Sequence, residues 1–312
     1  MKSKNWMMMA GLAVMAAASG CARGPAVKPM DEPMRIARDA AAAEWAAGNY
    51  AAAAAEYQRA LARAYVREDG RSAAAYRYQI AACELGLGKR DVARTGFHAA
   101  SVEALAAGDR LLAAQAEAAE ARVALEEGKP AEARELAGKA LARISPAAKP
   151  ANESRLKAGL YLTLAEIAAM EGGERLGEAK KSLMEARLAQ GKAKADPVFD
   201  AMAARVQGRI LAAEPEKAVE AATAFDSESI QWKQSGRFSE RASALERAAR
   251  QWQLAGKPDL AAERLIQSAR IRFGLGQLIP ARDLAVQAAE LAGKAERPDL
   301  AAMARILAPS AP

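Results

Sequence analysis

The sequence predicts an all-α protein built from stacked helical repeats, and three observations support this fold class. Alanine, leucine, glutamate, arginine and lysine dominate the 312 residues, and these side chains lose little freedom in a helix. No segment alternates apolar and polar residues long enough to indicate a strand. A short block returns about every forty residues, a spacing typical of repeat architectures. Its copies are Gly48–Ala53, Gly88–Ala93, Gly128–Ala133 and Gly256–Ala261, with a shorter copy at Arg297–Ala301.

The first twenty residues predict an export signal that is not part of the fold. Lys2 and Lys4 precede a short apolar stretch, Trp6–Ala18, which is too short to span a bilayer comfortably. The stretch ends in Ala18-Ser19-Gly20-Cys21, which resembles the lipobox of bacterial lipoproteins, although leucine is commoner than alanine at its first position. The resemblance implies cleavage before Cys21 and acyl chains such as palmitate on that cysteine. An ordinary secretory signal, with Cys21 incidental, is the alternative.

The residues after Cys21 bear on the location of the mature chain. Ala22 stands where enterobacterial lipoproteins of the inner membrane carry aspartate, so the resemblance implies an outer-membrane anchor facing the periplasm. Residues 21–33 hold several prolines and are expected to form the lipidated cysteine and a short tether. Without residues 1–20 the chain has 43 basic and 38 acidic residues, a net charge of +5. No concentrated basic patch is present, which argues against a nucleic-acid partner but leaves a weak attraction to anionic cell-wall polymers open.

Glycines that recur about every twenty residues are expected to end the helices, because a positive φ just past a helix C-terminus suits glycine. They are Gly48, Gly70, Gly88, Gly108 and Gly128, followed later by Gly236, Gly256 and Gly276. Helices joined by such turns form antiparallel pairs, and each pair must stack on its neighbours to bury its apolar face.

The residues after each glycine resemble the second half of a tetratricopeptide repeat (TPR). In that family a small alanine is followed by a large residue four positions later and by alanine three positions after that, as in Ala53, Tyr57 and Ala60 here. These steps return to one helix face, where alanine lets the paired helix approach closely. The resemblance covers residues 34–308 and implies a TPR-like α-solenoid of about seven antiparallel helix pairs; it implies no particular function. The key alanines are Ala53, Ala93, Ala133, Ala179, Ala218, Ala261 and Ala301.

Two segments interrupt the repeats. Ser145–Asn152 contains Pro146 and Pro150, which cannot continue a helix, so we predict a loop and a hinge there. Gly191–Pro197 is the second interruption, with a new helix starting at its end. Residues 309–312 are expected to form a short tail.

The chain carries no motif that indicates catalysis, a metal site or a cofactor. His98 is the only histidine, and Cys83 is the only thiol if Cys21 is acylated, so neither a catalytic triad nor a dedicated zinc site is expected. Cys83 is expected to fill the core, as are Tyr57 and Phe97. Carboxylates are expected to pair with lysine and arginine on helix faces. A converging pair of acids, as in glycan-cleaving enzymes, stays open as an alternative.

The TPR resemblance also implies a partner-binding surface, because the first helix of each pair lines the concave face in that family. Carrying its groove-facing positions onto this sequence gives Arg38, Trp45, Tyr78, Arg122 and Arg250. Such a groove suits an acidic or C-terminal peptide, or an amphipathic helix. We therefore expect a non-enzymatic periplasmic adaptor that binds another envelope protein, in the assembly of a secretion or pilus machine or in the regulation of cell-wall synthesis. The mild positive charge and the clustered aromatic residues favour one alternative, a peptidoglycan-binding tether of the outer membrane.

Overall fold

The structure is a computed structural model that describes residues 31–144, 151–191 and 196–308. Within these ranges the chain forms fourteen α-helices and two short 3-10 turns, and it contains no strand. The all-α prediction is therefore confirmed. The predicted signal peptide, Cys21, most of the predicted hinge and the tail lie outside the described residues, and the claims about them stay predictions.

The helices belong to two compact units that divide between Thr163 and Leu164, inside helix α7. The N-terminal unit contains α1 Glu32–Ala46, α2 Tyr50–Val66, α3 Gly70–Gly86, α4 Arg90–Ala106, α5 Arg110–Glu126, α6 Pro130–Arg143 and the first part of α7 Ala151–Glu171. The C-terminal unit contains the rest of α7, α8 Leu176–Gln190, α9 Pro197–Ala212, α10 Ala218–Gln234, α11 Phe238–Leu254, α12 Pro258–Gly274, α13 Leu278–Lys294 and α14 Pro298–Leu307. Its 3-10 turns are Gly173–Arg175 and Pro215–Lys217.

The first helix begins slightly earlier than predicted. Asp31 caps α1, because its carboxylate accepts a hydrogen bond of 2.9 Å from the backbone N–H of Met34. Pro33 lies in the first turn, where its missing N–H would have no partner within the helix. Pro33 therefore belongs to α1 and not to the predicted tether.

The turns repeat one geometry. Most helices of both units are 17 residues long, and three residues join them. At the end of α4, the N–H of Gly108 donates to the carbonyl of Leu105, and the N–H of Asp109 donates to the carbonyl of Ala104, as in a Schellman motif. The middle residue of each such turn has a positive φ. It is a glycine at Gly48, Gly88, Gly108, Gly128, Gly236, Gly256 and Gly276, as predicted.

In two of these turns the middle residue, which has the positive φ, is glutamate and not glycine. Glu68 has a φ of 51°, and Gly70, predicted to end a helix, is instead the first residue of α3. Glu296 has a φ of 54° at the corresponding position before α14. A side chain in this left-handed region crowds its own backbone, so both turns are strained relative to those with glycine.

Alanine forms the contacts between paired helices. The predicted key alanines are buried, and six of the seven occupy the fourth residue of their helices. The exception is Ala218, because the 3-10 turn before α10 delays its start. Ala221 takes the fourth position there, four residues before the buried Phe225, so the predicted key residue is wrong by three positions.

Two glycines mark still closer approaches between helices. A Cβ atom on Gly96 of α4 would lie 2.8 Å from the Cβ of Ala81 on α3. One on Gly208 of α9 would lie 2.7 Å from the ring of Phe225. The core predictions for Tyr57, Phe97 and Cys83 are confirmed, since all three are buried. Burial also raises the pKa of the Cys83 thiol to about 12, so this thiol is unreactive.

Candidate functional site

Tyr78, one of the predicted partner-binding residues, is part of the core. Its ring packs against Phe97 with the centroids 5.3 Å apart, and only 6% of the residue is exposed. Burial raises the pKa of its hydroxyl to about 12, and the charge of Arg122 acts in the opposite direction. Tyr78 therefore lies in the core and not on a partner-binding surface, contrary to the prediction.

The other predicted residues of the N-terminal unit are partly covered. Trp45 packs edge to face on Tyr50 at 5.0 Å, and the Arg38 guanidinium donates to Asp39 at 2.7 Å. Arg122 lies on α5, and none of residues 72–86 or 111–125 on α3 and α5 is exposed. Arg38 and Trp45 on α1 and Arg122 on α5 are each partly covered, so only part of each side chain is accessible to a partner.

Arg250 lies in the C-terminal unit and is exposed on α11. It therefore lies in a different unit from the other four predicted residues. It shares a helix face with Arg247, which lies three residues earlier and belongs to a group of charged side chains around Glu228.

The buried carboxylates of the N-terminal unit contact basic side chains of neighbouring helices. Glu117 on α5 accepts two hydrogen bonds of 2.7 Å from Arg143 on α6. Glu120 lies 3.5 Å from the exposed His98 on α4. Burial raises the pKa of the Glu120 carboxyl, and His98 only partly offsets this. Glu120 therefore carries an electrostatic cost at neutral pH.

We define the arginine cluster as Arg205, Arg209, Arg247, Glu166 and Glu228, all in the C-terminal unit. Glu228 has no exposed surface, and its Oε1 atom accepts hydrogen bonds from Arg205 at 2.8 Å and Arg247 at 2.7 Å. Glu166 on α7 lies 3.6 Å from Arg205 and 3.8 Å from Arg209. Three arginines thus face two carboxylates, and the cluster has an excess of one positive charge.

Trp232 of α10 supports the arginine cluster. Its indole N–H donates to Glu228 at 2.9 Å, and the guanidinium of Arg205 lies 5.6 Å from its ring centroid, within range of a cation–π contact. Burial lowers the pKa of Arg247. Burial also acts to lower the pKa of Arg205, but Glu166 and Glu228 raise it overall. The side chains of Arg205, Arg209 and Arg247 remain between a fifth and a third exposed, so a ligand can reach them.

Helix α9 borders a groove on the face opposite to Arg205 and Arg209, because successive residues turn by about 100° around a helix. We call it the α9 groove. It consists of two adjoining cavities of about 380 and 540 Å³ that share Arg187 and Gln207. Its walls are α8 and α10, with the turn Pro215–Lys217 at one end.

The two halves of the α9 groove differ in chemistry. The first half has an apolar floor with lysine and arginine at its rim, and Glu214 there accepts hydrogen bonds from Lys180 and Lys217. Its apolar residues are Leu183, Met184, Leu188, Ile210 and Leu211. The second half is polar and includes Asp196 and Asp200. Sequence reasoning did not find this groove, which no predicted site residue lines.

Among the described residues, no group of three or more His, Cys, Asp and Glu side chains could hold a metal ion. None of the described helices is both long and apolar enough to cross a membrane.

Comparison with known proteins identifies the fold. No protein-family model matches the chain, and no curated protein matches it. A chain in the crystal structure of the APC/C hetero-tetramer Cut9-Hcn1 superposes with a TM-score of 0.58 at 16% identity, over 87% of this chain and 46% of that one. The present chain thus spans about half the length of the matched chain. A tetratricopeptide repeat protein from Parabacteroides merdae gives a TM-score of 0.46 at 12% identity, over 88% of this chain and 99% of that one. The repeated helices and three-residue turns of the described residues, together with the first of these superpositions, agree with the predicted TPR-like fold.

Proposed function

We propose that this chain is a non-enzymatic scaffold of the bacterial cell envelope that binds another envelope protein through its helical repeats. Acyl chains on Cys21 hold it at the outer membrane, facing the periplasm. The lipobox-like residues Ala18-Ser19-Gly20-Cys21 support the location. The assembly of a secretion or pilus machine and the regulation of cell-wall synthesis are the two roles that fit such a scaffold.

The arginine cluster is the observation that carries the binding proposal. Glu228, which also accepts from Trp232, holds the guanidinium groups of Arg205 on α9 and Arg247 on α11 in place before a ligand arrives. Preorganised arginines bind carboxylates through two hydrogen bonds each and are frequent anchors of protein interfaces. An acidic segment of a partner protein is the ligand that this charge favours.

Capture from envelope extracts tests the binding proposal. The mature chain with Cys21→Ser is immobilised, and bound proteins are identified by mass spectrometry. Arg209→Glu and Arg250→Glu together should remove the captured partner. Arg59→Glu, at an exposed position on α2 of the other unit, should not. Failure to capture any envelope protein in several conditions, or equal capture by both variants, contradicts the proposal.

The lipid anchor is tested separately. Mass spectrometry of the chain from its native membrane should show acyl chains on Cys21, and the Cys21→Ser variant should leave the membrane fraction. An unmodified cysteine would support the ordinary secretory signal instead.

A peptidoglycan-binding tether is the second candidate function. Exposed rings favour it, because Tyr65, Phe238 and Phe273 are each about half exposed and aromatic faces can stack on sugars. Co-sedimentation with purified sacculi separates the two candidates. A protein-binding scaffold stays in the supernatant, whereas a tether sediments.

A further inference from the structure

The α9 groove opens where α8 separates from the helix that follows it. Among the described residues, α8 and α9 pack on each other much less closely than the consecutive pairs from α9 to α14 do. Successive helices start 21 residues apart from α8 to α10, but 20 apart from α10 to α14. The longer spacing coincides with this separation, and the turn Pro215–Lys217 borders one end of the open face of α9.

The residues along the open face follow the pattern of a helix-binding groove. On α8 the lining residues Lys180, Leu183, Met184, Arg187 and Leu188 are spaced by three and four, so they form one stripe along the helix. Met184 is 54% exposed and Leu188 is 67% exposed. Large apolar side chains gathered at a concave surface indicate a binding site, and methionine adapts easily to a partner.

The apolar half limits the conformation of an occupant. The surrounding helices satisfy their own backbone hydrogen bonds, so they offer no strand edge to an extended peptide. An extended peptide on Leu183, Ile210 and Leu211 would therefore bury backbone N–H and C=O groups without partners, which costs free energy. A helix satisfies its backbone internally, and it would fill the space between α8 and α9.

The charges at the rim favour a helix with acidic residues. Lys180, Arg187 and Lys217 surround the apolar half, and Glu214 is the only carboxylate that lines it among the described residues. Both lysines share Glu214, and Arg187 donates to the uncharged side chain of Gln207 at 3.5 Å. This half therefore has an excess of two positive charges around its apolar floor.

We propose that the α9 groove binds one amphipathic, acidic α-helix of a partner protein. Its apolar stripe lies on Leu183, Met184, Leu188, Ile210 and Leu211, and its acidic residues face Lys180, Arg187 and Lys217. Along α8 the apolar half extends from Lys180 to Leu188 for about 12 Å, so the bound helix makes about two turns of contact there. This inference rests on the proposed function only in taking the ligand to be a protein, and it concerns the opposite face of α9 from the arginine cluster.

Binding of two designed peptides to the full mature chain tests the inference. One fluorescent 16-residue peptide has leucine at positions i, i+3, i+4 and i+7 of successive turns and glutamate at its flanks. The second peptide has lysine in place of each glutamate. Fluorescence anisotropy should show that the acidic peptide binds at least about tenfold more tightly, a difference of roughly 1.4 kcal/mol. Equal affinity for the two peptides contradicts the inference.

Matched variants locate the binding. Met184→Lys with Leu188→Lys should weaken the acidic peptide by at least tenfold, and Arg187→Glu should reduce the preference for it over the lysine peptide. Ile279→Lys with Val286→Lys changes two exposed apolar residues on α13 and should leave the affinity unchanged. Equal losses in both double variants indicate non-specific adhesion and contradict the inference.

If the peptides behave as expected but no envelope protein is captured, the groove stands and the proposed scaffold function fails. If an envelope protein is captured and neither peptide binds, the scaffold function stands and the proposed role of the groove fails.

Discussion

Single buried charges control stability in this fold, and Glu228 is the clearest case. It has no exposed surface, and its removal leaves the largely covered guanidinium groups of Arg205 and Arg247 without their shared counter-ion. We expect Glu228→Ala to lower the free energy of unfolding by about 3–5 kcal/mol, measured by urea denaturation. The matched control is Glu135→Ala, which breaks an exposed pair with Lys139 and should cause little loss of stability. Similar losses in the two variants would contradict this assignment.

Glu120 should make stability depend on pH in the opposite direction from a typical ion pair. Burial raises the pKa of its carboxyl in the folded state, so its contribution to stability is full at low pH and is lost as the pH rises through that pKa. Glu120→Gln should therefore stabilise the protein at pH 7, with the gain vanishing toward pH 4.

Glu127 provides the control with the reverse sign. The hydrogen bond from Lys129 lowers the pKa of its carboxyl, so its contribution is present at neutral pH and is lost as the pH falls through the folded pKa. Glu127→Gln should destabilise the protein at pH 7 and have less effect in acid. Denaturation curves of both variants at pH 4 and pH 7 check the two signs together, and an identical pH trend would refute the account.

At the level of the helices, glycine and other residues at the positive-φ position of the repeated turn should have opposite effects on stability. Glu68 and Glu296 occupy the left-handed position that glycine occupies elsewhere. Glu68→Gly and Glu296→Gly should each raise the free energy of unfolding by about 1 kcal/mol, whereas Gly108→Ala should lower it by a similar amount. Thermal denaturation of the three variants is the measurement, and a loss of stability in either glycine variant would show that the glutamate side chain has a stabilising role.

Helix contacts should override helix propensity at Gly96. Alanine favours helix over glycine by about 1 kcal/mol, and Gly138→Ala, where nothing lies within 4 Å of the added Cβ, should gain about that much. Gly96→Ala would place a Cβ 2.8 Å from that of Ala81, so α3 and α4 must separate at a cost of about 1–3 kcal/mol. A gain in both variants would mean that the two helices are not closely packed.

The sequence predicted the helices well where a local signal exists. Glycine spacing located seven of the left-handed turns, and the alanine pattern located the paired faces. Glu68 was missed because a glutamate at positive φ has no signature in the sequence. The register of α10 was missed because Pro215 starts a 3-10 turn, and single residues do not show whether such a turn delays the next helix.

On the scale of the whole molecule, binding surfaces were harder to predict than the fold. Whether Tyr78 faces a partner or the core depends on Phe97 from the next helix, which the family pattern did not indicate for this chain. The arginine cluster joins residues from α7, α9, α10 and α11, and the α9 groove depends on where α10 lies. Only the interruption at Gly191–Pro197 pointed to this irregular region.

We propose two distinct binding surfaces in the C-terminal unit, one on each face of α9. The arginine cluster favours an acidic segment, and its binding should weaken as salt screens the charges. The α9 groove adds an apolar contact that salt weakens much less. A scaffold with both can hold one partner at two points or two partners at once.

Photo-crosslinking in intact cells tests the central claim most directly. A photoreactive amino acid replaces Arg250 in one variant and Arg59, on an exposed face of the other unit, in a second. Both chains keep Cys21. The account predicts that position 250 crosslinks to a specific protein of the periplasm or outer membrane and that position 59 does not. Crosslinks to cytoplasmic proteins, or the same products from both positions, would contradict it.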